Sequence, residues 1–423
     1  MPDLTANCAG IESPNPFWLA SAPPTNSGEQ IMRAFDHGWG GAVWKTLGTP
    51  IQNVSSRFGA IHHQGSRGVG FNNIELITDR PLDVNFREIE EVKKHYPEHA
   101  VIVSLMVETK EEWKEIIARS IDAGADGLEL NFGCPHGMCE RGMGSAVGQE
   151  PAVNERITSW VKEYSTVPVL VKLTPNVADI VPHGLAAQKG GADGVSLINT
   201  IKSIIGVDID RMVIEPRVGG LSTNGGYCGA AVRPIALHMV AGLARDPAFQ
   251  LPISGIGGVT NWRDAVEFIL LGSSSVQVCT EVMLRGYRIV EDMIEGLESY
   301  LREKKVDSVA ALVGAAVPTF SEWGDLDLNH ETVAKIDPET CIGCYKCMVA
   351  CHDGAHQCIF PARDDSRVPI VDEAECVGCN LCEIVCPVEG CITMVEVDNG
   401  FTPASWNDHV GDGKTLRPKK GAH

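Results

Sequence analysis

The sequence has no long block of lysine and arginine, no apolar run of membrane length and no leader-like start. Its formal net charge is −20 over 423 residues. Without a basic block to offset it, that charge argues against non-specific binding to nucleic acid. Apolar runs such as 268–280 are too short to span a bilayer. The opening "MPDLTANCAG" has no basic stretch followed by an apolar one, so it does not read as a signal peptide, and the expected place is the cytoplasm. A dinucleotide fingerprint is also missing: "GIGGVT" (255–260) has threonine where the third glycine belongs.

Cysteine is the residue in excess. Of fifteen, nine fall between positions 341 and 386, and a cytosolic chain does not normally use them for disulfides. Two runs, "CIGCYKCMVAC" and "CVGCNLCEIVCP", each read C-x2-C-x2-C-x3-C. In bacterial two-cluster ferredoxins, three close thiolates hold one cubane and the fourth reaches across to the other. Cys341, Cys344, Cys347 and Cys386 are therefore expected around one 4Fe–4S cluster, and Cys351, Cys376, Cys379 and Cys382 around the second. A pair of structural zinc sites is the plainer alternative. His352 follows Cys351 where proline is usual, and Cys358 and Cys391 fall outside the pattern as structural thiols. Clusters carry single electrons and bind no organic substrate, so they must serve another centre.

Eight β-rich runs precede this region, at 17–21, 42–46, 101–106, 128–132, 169–174, 195–200, 252–255 and 275–280. Stretches such as "KEEWKEIIARSIDAG" (110–124) and "NWRDAVEFILLG" (261–272) separate them, apolar on one helical face. The helix-to-strand joints repeat, as in "DAGADGLELN" and "KGGADGVSLIN". One βα unit copied eight times predicts a TIM barrel, with a doubly wound sheet as the alternative. The expected organisation is an α/β barrel over 1–305, a linker over 306–335, a small α+β two-cluster ferredoxin-like domain over 336–395 and an extended tail over 396–423.

A barrel carries its chemistry at the C-terminal ends of its strands. Those ends offer Ser21, Lys45 with Thr46, Asn131 followed by Cys134, Lys172, Asn199 with Thr200, "GIGG" (255–258), and Cys279 with Thr280. A flavin is the natural acceptor for single electrons in such a fold. The loop "SGIGGVTNW", with Gly257 and Gly258, enters a helix and could cradle a phosphate, and Gly229 could approach from the preceding loop. Lys45 and Lys172 would face the negative charge of a reduced flavin, although a lysine paired with a neighbouring acid is the plainer reading. Asn73, Asn131, Asn199 and Thr200 could pair with a flat ring of alternating N–H and C=O groups. "NFGCPHGMCERGMG" leaves Cys134 open as a metal ligand, a redox thiol, a buried small residue or a proton donor.

Together the segments "NPFWLASAPPT", "WGGAVWKT", "FNNIELI", "LELNFGCPHGMCERGMG", "VKLTPN", "RPIAL" and "GIGGV" and the double cluster signature carry a resemblance. The chain resembles the catalytic subunits of the NAD-dependent dihydropyrimidine dehydrogenases and the C-terminal part of the mammalian enzyme. That resemblance implies an oxidoreductase that reversibly reduces the 5,6-double bond of uracil or thymine in pyrimidine degradation. It implies FMN held by Ser21, Lys45, Thr46, Asn131, Lys172, Gly229, Gly257, Gly258, Cys279 and Thr280. The pyrimidine would be held by Asn73, Asn131, Asn199 and Thr200, with Cys134 as the acid at C5. A thiol of ordinary pKa, about 8.5, is largely protonated at neutral pH and suits that task. It further implies an FAD-containing iron–sulfur partner subunit that binds NAD(H), in a heterotetramer, with no nucleic-acid or membrane partner. Gly133 stands where family members often have serine, and Cys139 where glycine is common. A dihydroorotate dehydrogenase-like or other flavin ene-reductase, and a pure electron-transfer iron–sulfur protein, are the rival readings.

Overall fold

The structure, a computed structural model, describes residues 2–49, 51–63, 65–354 and 356–408; the tail beyond 408 and the Cys139 side chain lie outside the described residues. The chain divides into two compact units, meeting in sequence at Phe320 and Ser321.

In the first unit eight parallel strands close into one barrel. They are β1 (Phe17–Leu19), β2 (Gly41–Leu47), β3 (Ala100–Leu105), β4 (Gly127–Asn131), β5 (Val169–Lys172), β6 (Gly194–Leu197), β7 (Ile253–Ile256) and β8 (Ser273–Val278). Each pairs with the next in chain order, and β8 pairs with β1. Closure rules out the open doubly wound sheet.

Alternation along the strands sorts their residues. Trp44, Val103, Leu128, Leu130, Val171, Val195 and Val276 join the main apolar core with the surrounding helices. Val43, Ile102 and Leu170 instead meet Trp18 and the N-terminal hairpin residues Cys8 and Ile11. The remaining alternate positions are polar and fully buried: Ser104, Glu129, Ser196, Ser254, Ser275 and Gln277. The barrel is thus apolar towards its helices and polar along part of its inside.

The repeated joints have a physical cause. Asp126, just before β4, accepts the Val101 N–H of β3 at 2.7 Å and the Lys93 ammonium at 2.8 Å. Asp193, just before β6, accepts the Val169 N–H of β5 at 2.7 Å and pairs with Lys162 at 2.6 Å. The same aspartate in each copy ties its strand to the preceding one. Helix Lys110–Asp122 starts at a capping box of Thr109 and Glu112 and buries Trp113, Ile116, Ile117 and Ser120, an i, i+3, i+4, i+7 face.

A second sheet, which the sequence reading did not foresee, belongs to the first unit. Phe58–His63, Ser66–Asn73, Gly225–Cys228 and Ile201–Ser203 form four antiparallel strands. They come from the insertions after β2 and after β6.

In the second unit Thr332–Ile336 pairs with Ile392–Glu396, and Ile359–Phe360 with Ile370–Val371, around helices Lys346–Gly354 and Leu381–Ile384. Residues 306–335 are therefore shared between the units: Val309 and Leu312 are buried in the barrel unit's core, while Thr332–Ile336 is a strand of the second. Among the described residues no helix is long and apolar enough to cross a membrane.

One buried contact locks β2 to the helix Leu82–His95. The Trp44 indole donates to Asn85 Oδ1 at 3.0 Å, and Asn85 Nδ2 donates to the carbonyls of Arg80 and Pro81. Asn85→Leu would strand the indole N–H and take the side-chain donor from the Arg80 carbonyl, while Pro81 keeps its backbone donors; this is expected to destabilise the barrel by about 1–3 kcal/mol. Urea unfolding should show a lowered midpoint; an unchanged one would contradict this account of the contact.

Candidate active site

The C-terminal strand ends open into one cavity, about 1240 Å³ with the open solvent at its mouth included. Every barrel residue that the resemblance assigned to the flavin, the pyrimidine or the proton transfer lines it: Ser21, Lys45, Thr46, Asn73, Asn131, Cys134, Lys172, Asn199, Thr200, Gly229, Gly257, Gly258, Cys279 and Thr280. Consecutive residues of a strand normally face opposite sides. Lys45 and Thr46 both reach the cavity because the β2–β3 register shifts between Trp44 and Leu47.

The cavity's lining includes two cations, Lys45 and Lys172, each nearly inaccessible to solvent. Lys45 Nζ lies 2.9 Å from Glu75 Oε1, which Arg57 Nε also approaches at 3.6 Å. Lys172 Nζ lies 3.5 Å from Glu129 Oε1. The other oxygen of Glu129 accepts Ser196 Oγ at 2.7 Å and Gln277 Nε2 at 3.0 Å. Gln277 also donates to Ser254, which accepts Ser275. Glu129 Oε1 and Gln277 Oε1 are buried without a hydrogen-bond partner among the described residues. The polar floor is built but not saturated, as expected where a bound group completes it.

Above the floor runs a chain of amides. Asn199 Nδ2 donates to Asn131 Oδ1 at 3.0 Å, Asn131 Nδ2 to Thr46 Oγ1 at 3.0 Å, and Thr200 N to Asn199 Oδ1 at 2.8 Å. Thr46 Oγ1 also meets Ser21 and Ser104. Asn73 arrives on the inserted sheet, opposite Gly226, whose carbonyl it bonds at 3.3 Å. A Cβ at Gly133 would stand 2.3 Å from Asn199 Cβ. The glycine is therefore what allows this close approach, and a serine there would have to displace Asn199.

Cys134 is buried with Ile77, Met106, Met138 and Met143, so its loop is folded down on the cavity. Its thiol donates to the carbonyl of His136 at 3.4 Å. His136 lines the same cavity; its Nε2 bonds the Glu75 carbonyl at 3.0 Å, and burial lowers its pKa despite that bond. The imidazole is thus neutral at neutral pH. Burial pushes the thiols of Cys228 and Cys279 up to about 11 and about 12, so neither supplies a thiolate.

The loop expected to cradle a phosphate differs in one respect from expectation. The first N–H groups of helix Trp262–Leu270, those of Arg263 and Asp264, are taken by the Asn261 side chain. Thr260 N–H is taken as well, by Asp264 Oδ2 at 2.8 Å, which leaves the glycine turn before it as the candidate anion contact. There Gly258 has φ +76°, and a Cβ would come within 2.9 Å of the Gly229 carbonyl, so glycine is what allows the two loops to approach so closely at this point. Arg233 is held by Asp264 and Glu267.

Sequence reasoning missed Glu75, Glu129 and Gln277. A signal existed for one of them: Glu129 is a lone carboxylate inside the strand "LELN".

In the second unit the thiols surround two smaller cavities. One is lined by Cys341, Cys344, Cys347, Cys386 and Cys391, the other by Cys351, Cys358, Cys376, Cys379 and Cys382. Each holds three thiols of one motif and the fourth of the other, the exchange a pair of cubanes requires. Among the described residues no three His, Cys, Asp or Glu side chains sit closely enough to hold a single metal ion.

Comparison with known proteins places this geometry. A family profile described as dihydroorotate dehydrogenase matches residues 3–301, and one described as 4Fe-4S dicluster domain matches 334–394. The NAD-dependent dihydropyrimidine dehydrogenase subunit PreA of Escherichia coli (strain K12) is 43% identical over 397 residues, covering 93% of this chain and 96% of that protein. The chloroplastic dihydropyrimidine dehydrogenase (NADP(+)) of Arabidopsis thaliana is 41% identical, over 77% of this chain and 79% of its own. The catalytic subunit of dihydroorotate dehydrogenase B (NAD(+)) from Thermococcus kodakarensis is 37% identical, over 74% of this chain and 98% of its own. The chain belongs to the dihydroorotate dehydrogenase family of oxidoreductases, as a catalytic chain of the dihydropyrimidine dehydrogenase type that carries its own 4Fe–4S dicluster domain.

Proposed function

We propose that this chain reduces the 5,6-double bond of uracil or thymine, reversibly, in the cavity at the barrel's C-terminal end. The observation that carries the reading is that one cavity brings Cys134 together with two buried lysines and the amides of Asn73, Asn131 and Asn199. Ser21, Lys45, Thr46, Asn131, Lys172, Gly229, Gly257, Gly258, Cys279 and Thr280 would hold FMN. When bound, the flavin supplies the hydride for C6, and the clusters supply its electrons singly.

The chain's own residues do the rest. Asn73, Asn131, Asn199 and Thr200 offer donors and acceptors to the ring's N–H and C=O edges. Cys134 gives its proton to C5 as negative charge develops towards the C4 carbonyl, and takes it back in the reverse direction. Met138 and Met143, packed around the thiol, keep water from it. Substrate charge is constrained too. Lys45 and Lys172 are the cations among the described residues lining the cavity, and each already faces a carboxylate. That favours an uncharged pyrimidine over orotate, whose carboxylate would need a cation of its own.

Electrons would come from a partner subunit that contains FAD and binds NAD(H), since "GIGGVT" belongs to the barrel loop after β7. Under anaerobic conditions with a chemical reductant, the purified chain should consume uracil or thymine, seen as loss of ultraviolet absorbance, and leave orotate untouched. With NADH alone it should do neither. Preferential reduction of orotate would overturn the substrate, and full-rate NADH oxidation by the lone chain would overturn the partner.

Cys134→Ala should retain flavin and lower the turnover number by about 100- to 10,000-fold, the range for loss of a general acid. Cys134→Ser should fall between the two with a shifted pH profile. Steady-state kinetics check this, and an unaltered rate in Cys134→Ala would remove the thiol from the reaction.

A further inference from the structure

Each cluster cavity is lined by five cysteines, not four. The additional ones, Cys358 and Cys391, hold corresponding places in the two halves of the unit. Each follows the fourth cysteine of its motif and directly precedes a buried isoleucine, Ile359 or Ile392, that begins a strand. Both cysteines are buried. A small apolar residue would fill these places equally well, so the repetition of sulfur in both halves calls for a chemical reason.

The geometry around Cys358 supplies one. Its Sγ lies 3.7 Å from the Sγ of Cys351, and its backbone N–H donates to that same sulfur at 3.3 Å. As a cluster ligand Cys351 is a thiolate, which only accepts. Cys358, in the ordinary protonated form of a thiol, must then be the donor. Its counterpart Cys391 directs its thiol towards the Asp337 carbonyl, at 3.9 Å.

We propose that Cys358 is a positioning residue of the cluster held by Cys351, Cys376, Cys379 and Cys382, and that its S–H and N–H, both donated to Cys351, raise that cluster's reduction potential. Reduction adds one electron, and part of the added charge falls on the ligating sulfurs. A donor aimed at one of them favours the reduced state over the oxidised one. No bond is made or broken. The proposal rests on Cys351 being a cluster ligand, and iron and sulfide analysis of the unaltered chain tests that separately: about eight of each per chain are expected for two cubanes, and their lack would fail the ligand assignment.

The test is an anaerobic redox titration of the full chain, followed by electron paramagnetic resonance, on the unaltered protein, Cys358→Ala and Cys358→Ser. All three should contain the same iron and sulfide. In Cys358→Ala one of the two cluster midpoints should move to a more negative potential while the other stays. Cys358→Ser keeps a donor and should stay close to the unaltered protein. If alanine leaves a gap that loses iron, Cys358→Val fills the volume without a side-chain donor and should show the same one-cluster shift. Unmoved midpoints in the variants without a side-chain donor would overturn the proposal. So would an equal shift in Cys358→Ser, because packing alone would then account for it.

Discussion

Everything at the mouth of this barrel follows from charges buried inside it. Lys172 and Glu129 lie 3.5 Å apart with almost no solvent access, and Lys45 and Glu75 form a second such pair at 2.9 Å. Buried ion pairs are tolerated when further hydrogen bonds satisfy their remaining lone pairs, and removing one partner typically costs about 3–5 kcal/mol. Here Ser196 and Gln277 bond one Glu129 oxygen, and the other faces the lysine alone. The small serines of β6, β7 and β8 leave room for this arrangement, where larger apolar residues would fill the barrel. A polar interior at this level needs polar strand ends above it, and those ends form the cavity.

Much of this was legible in the sequence. The eight strands stand out because their outward positions must be apolar against the helices, and the joints repeat because Asp126 and Asp193 perform one task in two copies. The cluster cysteines are legible because ligand spacing is fixed by the metal group rather than by the fold. The inserted sheet was not, since its two halves join only across 153 to 157 residues of sequence, as Asn73 does with Gly226, and local periodicity carries no record of such pairing. Thr46 beside Lys45 depends on a register shift that no single strand reveals. Glu75 follows an expected substrate residue by two positions, but its partnership with Lys45 exists only in three dimensions. The plainer reading of the lysines, a pairing with nearby acids, and the reading in which they face a flavin are compatible: the acids hold the cations in place above a floor that still has unsatisfied oxygens.

The chain uses sulfur in distinct settings. In the second unit thiols gather in fives around two cavities, where an electron can be held. In the barrel Cys134 lies among methionines and isoleucine, while burial raises the pKa of the Cys228 and Cys279 thiols. On the proposed reading, electron storage and proton delivery fall in separate units of one chain, which suits a reaction that consumes both.

The central claim is that the barrel cavity is a flavin site, with Lys45 and Lys172 as its fixed cations. It is tested most directly by acid release and chromatographic quantitation of flavin from the purified chain. The account predicts one FMN per chain. A chain with its full complement of iron and sulfide but no flavin would contradict it.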